Sequence, residues 1–190
     1  MFRRVSFSRW RARTPARTAA VDGERAVGDD EARIMTARTI ALMISILLMG
    51  ILLGGFVYSH LVYFPVYLSA LPDSAVLVNG PHALNEGRFW LLIHPLTILS
   101  LIISLALNWK IRARRKLIII PLVVYLLAIV ATSLYFVPEL RAFQNSPNLN
   151  VSPAEWFSRG QRWQYLSWVR GTFMGLSIVP LLLALRVRED

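Results

Sequence analysis

Apolar positions dominate this chain in long runs rather than in alternation. From Thr39 to Pro72 there is no Asp, Glu, Lys or Arg, and Ile40–Tyr58 is the hydrophobic heart of that stretch. Phe89–Trp109, between Arg88 and Lys110, and Leu117–Pro138, between Lys116 and Glu139, repeat the pattern. Each is long enough for the ~20-residue helix that crosses a bilayer core. A fourth uncharged stretch, Gly171–Leu185, reaches only ~22 Å at about 1.5 Å per residue. Its helix is therefore expected to begin near Trp163, which draws Arg170 into or to the edge of the hydrocarbon. The fold class expected is all-α: an integral membrane bundle of four transmembrane helices over residues 39–190.

Composition agrees. Of 190 residues, 55% are hydrophobic and 17% charged, against roughly 25% charged in a soluble domain. The net charge of +10 lies in short flanks of the apolar runs and not in a groove-like cluster, so nucleic acid is not the expected partner. Arg33 and Arg38 precede the first run, and Lys110, Arg112, Arg114, Arg115 and Lys116 crowd the loop after the second. Arg186 and Arg188 follow the fourth. The other two loops hold only Arg88, Arg141, Arg159 and Arg162, with acids among them. The excess of Lys and Arg on one side places both termini in the cytoplasm of a multi-pass cell-membrane protein.

Residues 1–38 form a separate basic zone, expected to be a disordered tail that attracts anionic lipid; a mitochondrial transit peptide and a start at Met35 are the other readings. The absence of cysteine removes disulfides, thiolate metal sites and paired-cysteine redox chemistry such as that of the vitamin K epoxide reductase type. Gly50 with Gly54, and Gly171 with Gly175, have the spacing that lets helices approach closely. Pro121 falls near the start of its helix, whereas Pro95 and Pro180 are expected to kink theirs.

Polar residues gather toward the non-cytoplasmic end. His94 lies about 7 Å below that boundary, with Thr132 and Arg170 at similar depth. His60, Tyr63, Tyr135, Glu139, Glu86 and Trp163 lie at the rim above, and the opposite half offers little of this kind. Helical phase draws them together: Glu86, Trp90, His94 and Thr97 share one face, and Tyr125, Ala128, Thr132, Tyr135 and Glu139 a second. Trp163, Ser167, Arg170 and Met174 share a third, and His60, Tyr63 and Tyr67 a fourth. Polar stripes in spans face the bundle interior, where they serve interhelical bonding or line a site. His94 and Arg170 are the expected catalytic pair. His60, Tyr63, Glu86, Trp90, Thr132, Tyr135, Glu139, Trp163 and Ser167 are the expected substrate contacts. Arg170 is expected to pair with Glu139 or Glu86.

Three segments carry a resemblance: Gly54–Pro65 (GGFVYSHLVYFP), Thr132–Leu140 (TSLYFVPEL) and Arg162–Gly171 (RWQYLSWVRG). The chain resembles the anthrone oxygenase-like family of small four-helix membrane proteins. It departs from that pattern at Ser167 and Trp168, where many members have Asn-His, and at Leu140, where Asn is common. The resemblance implies oxidation of a lipophilic, aromatic substrate by dioxygen, with no established metal or flavin. In that chemistry Arg170 would stabilise a developing oxyanion and His94 would act as base or acid. Two other functions stay open on the residues alone: a non-enzymatic binder of a lipophilic ligand or partner, and a haem or metal binder through His60 and His94. The sequence assigns no cofactor.

Overall fold

The computed structural model describes residues 15–187, and the side chains of residue 30 and of 32–187. The chain divides into two units, 1–37 and 38–190. Residues 15–37 of the first, expected without regular structure, are assigned to helix; the readings placed on residues 1–14 lie outside the described residues.

Among the described residues there is no strand. Helix α1 covers Pro15–Tyr58, a wide turn Ser59–Tyr63 leads into α2 (Phe64–Ser69), and α3 covers Gly87–Leu107. Next come α4 (Arg112–Ala131), a second wide turn Thr132–Phe136 and α5 (Val137–Gln144), then α6 (Pro153–Leu176) and α7 (Ile178–Arg186). Taken end to end they make four helices long and apolar enough to cross a membrane: Ala32–Ser69, Gly87–Leu107, Arg112–Gln144 and Pro153–Arg186. Within the most apolar window of each, only 22–33% of residues are buried. The rest turn outward: Leu91, Leu127, Leu134 and Phe173 are among many exposed apolar side chains. An apolar exterior on that scale suits lipid, not water.

Three of the four spans extend beyond their expected ends. The first and third continue past Pro65 and Pro138, and the wide turns are the reason. Proline has no N–H to give the carbonyl four residues back, and its ring crowds that carbonyl. Here the ladder widens one residue earlier: the N–H of Phe64 reaches Ser59 O, and the N–H of Val137 reaches Thr132 O. Each is a five-residue step, a π-turn that lets the helix continue. The fourth span starts at Pro153 and not near Trp163, because Ser152 caps it: its Oγ accepts the N–H of Glu155 at 3.2 Å. Ser-Pro-Ala-Glu is a start signal in sequence. Pro121 proves to be inside α4 rather than at its start, Pro95 is inside α3, and Pro180 follows the break at Ser177 that separates α6 from α7.

The core has two parts. One is built from Leu42, Met49, Leu52, Leu101, Ile118, Tyr125 and Leu181, where α4 packs on α3 and α7. The other is aromatic, with Phe64, Tyr67, Phe136, Phe143, Trp156 and Trp163 joining α2, α5 and α6. Only half of the glycine expectation is met. A Cβ at Gly171 would strike the Phe56 ring and one at Gly175 would touch Leu53, but nothing lies within 4 Å of the corresponding points on Gly50 and Gly54. Those two face outward.

The end opposite His94 is also more polar than expected. Ser45 and Ser104 bond side chain to side chain at 2.8 Å. Buried Arg114 donates to Asn108 Oδ1 at 3.2 Å and to Val187 O at 2.9 Å. These bonds tie the start of α4 to the ends of α3 and α7, so Arg114 is a structural residue of the bundle and not a free loop charge.

Candidate functional site

Between the spans, at the His94 end, lies a cavity of about 920 Å³. It falls within the usual size of small-molecule sites. Among the residues predicted to form a site, His60, Tyr63, Glu86 and Trp90 line it, as do His94, Thr132, Trp163 and Arg170. Tyr135, Glu139 and Ser167 do not.

The first π-turn positions His60. Because Phe64 N–H bonds to Ser59 O and Pro65 has no N–H, the carbonyl of His60 is left without its helical donor. Gln164 Nε2 of α6 fills that place at 3.3 Å. The His60 ring sits among aromatic rings, with centroids 4.0 Å from Phe56, 5.0 Å from Phe64, 5.5 Å from Trp168 and 5.8 Å from Trp163, the last nearly parallel to it. Its Nδ1 is 3.0 Å from the Phe56 carbonyl. A carbonyl only accepts, so Nδ1 carries the proton and Nε2 keeps its lone pair. That Nε2 is buried with no partner.

His94 stands about two turns into α3. Its Nδ1 is 2.6 Å from the Tyr125 hydroxyl of α4, and its ring stacks on Trp90 at 5.6 Å. Tyr125 thus fixes the imidazole and leaves Nε2 as the nitrogen available to a ligand. The rim is set by Glu86, just before α3. Ser59 Oγ donates to its Oε1 at 2.7 Å, and Trp90 Nε1 donates to its Oε2 at 3.5 Å. Glu86 therefore ties the first π-turn to α3.

The second π-turn positions Thr132, whose hydroxyl donates to Ala128 O at 2.7 Å. That leaves the Thr132 oxygen free to accept from Arg170 Nη1 at 2.5 Å. The Arg170 guanidinium lies over Phe136, its Cζ 3.9 Å from the ring centroid. The expected carboxylate partner is not there. Glu139 is held by Arg159, with Nε 2.6 Å from Oε1 and Nη2 2.8 Å from Oε2. Glu86 is held as just described. Among the described residues Arg170 has no ion pair.

Tyr135 packs edge-on against Phe136, with its hydroxyl buried and unpartnered. Ser167 is fully buried, also without a hydrogen-bond partner. Sequence reasoning did not select Phe56 and Trp168, which enclose His60, nor Tyr125 as the anchor of His94. It also missed the loop Val78–Asn85, which forms part of the cavity wall, and Arg159. A helix begun at Pro153 puts Trp156, Arg159 and Trp163 on one face, so the capping signal would have found Arg159.

The Arg159–Glu139 pair supports the second π-turn from α6. Its side chains are only 24% and 17% exposed, so solvent screens them less than it does a surface pair. A double-mutant cycle with Arg159→Ala and Glu139→Ala should give a coupling of roughly 1–3 kcal/mol in thermal or denaturant melts. A coupling near zero would make the contact ornamental.

Among the described residues no three or more His, Asp or Glu side chains are grouped to hold a metal ion. No family model, no curated protein and no solved structure matches the chain.

Proposed function

We propose that this is a four-span protein of the cell membrane with both termini cytoplasmic, and that its cavity takes a lipophilic aromatic substrate and oxidises it with dioxygen, in the manner of the anthrone oxygenase-like family. The orientation is supported by the basic residues at Arg38, in the loop 108–116 and at Arg186, which lie together at the end away from the cavity. One observation carries the chemistry: a cavity walled by aromatic rings brings together a fixed imidazole, His94, and a guanidinium without a counter-charge, Arg170.

In this reading the substrate is a ring ketone with an acidic CH₂ group. His94 Nε2 removes a proton from that carbon, and the negative charge passes to the ketone oxygen, which Arg170 stabilises. The electron-rich enolate is the species that reacts with dioxygen. Overall the CH₂ becomes C=O, and dioxygen supplies that oxygen and leaves as one water. Substrate is oxidised and dioxygen reduced, with no further reductant needed. Binding to the aromatic walls holds the substrate plane, and burial keeps bulk water from the carbanion.

Oxygen uptake on anthrone by the protein in lipid nanodiscs tests this. One dioxygen consumed per anthrone, at a rate well above protein-free autoxidation, is the expected result. Anthrone binding with no acceleration would replace the enzyme with a ligand-binding protein. The bis-histidine haem reading has less support, because the His60 Nε2 is packed among aromatic side chains.

A further inference from the structure

Arg170 poses a problem of charge that the protein leaves unsolved. Its guanidinium has five N–H donors, and one reaches Thr132. Its Cζ sits 3.9 Å from the centroid of the Phe136 ring. Neither nearby carboxylate is free: Glu139 is held in a two-point contact by Arg159, and Glu86 by Ser59 and Trp90. None of its nitrogens is sealed in the protein without a partner, unlike Nε2 of His60, and the residue opens onto the cavity. A cation at this depth in an apolar bundle normally has a partner, because an uncompensated charge there is costly. The missing partner belongs in the cavity.

We propose that the cavity's ligand is a lipophilic acid, bound with its ionised carboxylate against the Arg170 guanidinium. This rests on the cavity being a ligand site and not on the oxidation chemistry: here Arg170 holds a carboxylate, where the oxidation reading has it face the ketone oxygen. A single fixed guanidinium matches a monoanion. Its planar edge suits the two oxygens of a carboxylate, which accept parallel N–H bonds. Phe136 under its Cζ and Thr132 at Nη1 hold the group where it borders the cavity. The body of the ligand lies among Phe56, Tyr63, Trp90 and Met174, which are apolar or aromatic. Arg88 and Glu86 also line the cavity, and their formal charges cancel.

The test uses the full chain in nanodiscs of zwitterionic lipid, with binding read by tryptophan fluorescence quenching. The probes are anthraquinone-2-carboxylate against its neutral carboxamide, and oleate against oleamide. The wild type should bind the acid of at least one pair about tenfold or more tighter than its amide; the pair that responds shows whether the acid is aromatic or acyl. Arg170→Gln should abolish the preference, Arg170→Lys should retain part of it, and Arg141→Gln, an exposed cation outside the cavity lining, should leave it intact. If Arg170→Gln does not fold, the Lys and Arg141 variants decide. Equal binding of acid and amide by the wild type overturns the proposal, as does failure of both acids to bind or a preference that survives Arg170→Gln. Oxygen uptake separates this inference from the oxidation chemistry. Acid preference without uptake on anthrone keeps the acid ligand and ends the oxygenase reading; uptake without acid preference does the reverse.

Discussion

Gly171→Ala should lower the apparent melting temperature by roughly 5–10 °C, whereas Gly50→Ala and Gly54→Ala should leave it unchanged or raise it slightly. A methyl group at Gly171 would meet the Phe56 ring. That ring is 6% exposed and is held by His60 and Trp168, so it cannot swing aside cheaply. Overpacking of this kind costs about 1–3 kcal/mol, with a few degrees of melting temperature per kcal/mol in a chain of this size. Gly50 and Gly54 meet nothing within 4 Å, and alanine there gains helix propensity. The contrast in sign is the informative part, and equal effects at all three positions would contradict the packing of α1 against α6. Because Phe56 also packs against His60, Gly171→Ala should loosen the cavity wall and weaken ligand binding as well.

The second large effect is on turnover. Replacing a general base typically costs 10²–10⁴-fold in rate, so His94→Ala should reduce anthrone-dependent oxygen uptake by about that factor. Tyr125→Phe removes the hydroxyl 2.6 Å from His94 Nδ1 while leaving the imidazole in place. It should slow turnover less, by about tenfold, through lost orientation. A His94→Ala protein that melts like the wild type and turns over at the wild-type rate would remove His94 from the chemistry. The companion variant His60→Ala should act mainly on stability, since that ring packs among four aromatic side chains.

The spans were legible because each is an unbroken apolar run between charges, and the shared depth of His94, Thr132 and Arg170 followed from counting residues along them. The Thr132–Arg170 bond fits that count. What escaped depended on local backbone chemistry and on partner choice. Pro138 read as a helix end, but a π-turn absorbs it and carries the helix on to Gln144. The start of α6 was read from hydropathy, though Ser152-Pro153 and Glu155 are a capping signal that puts Arg159 on the helix. With Arg159 placed, Glu139 has a nearer cation than Arg170, and the expected pairing fails. Arg114 read as a cytoplasmic charge, because no count of hydropathy shows that Asn108 and the Val187 carbonyl lie within its reach. The cavity itself is a property of how the helices meet, which no hydropathy pattern records.

The central claim is that this cavity is a ligand site and not a packing void. Photolabelling in nanodiscs with an aromatic diazirine, followed by peptide mapping, tests it most directly. Saturable labelling of residues such as Phe56, Trp90, His94 and Met174, displaced by excess unlabelled aromatic compound, is the expected result. Labelling confined to outward-facing residues such as Leu47, Leu127 and Phe173, rising linearly with probe and not displaced, would contradict it.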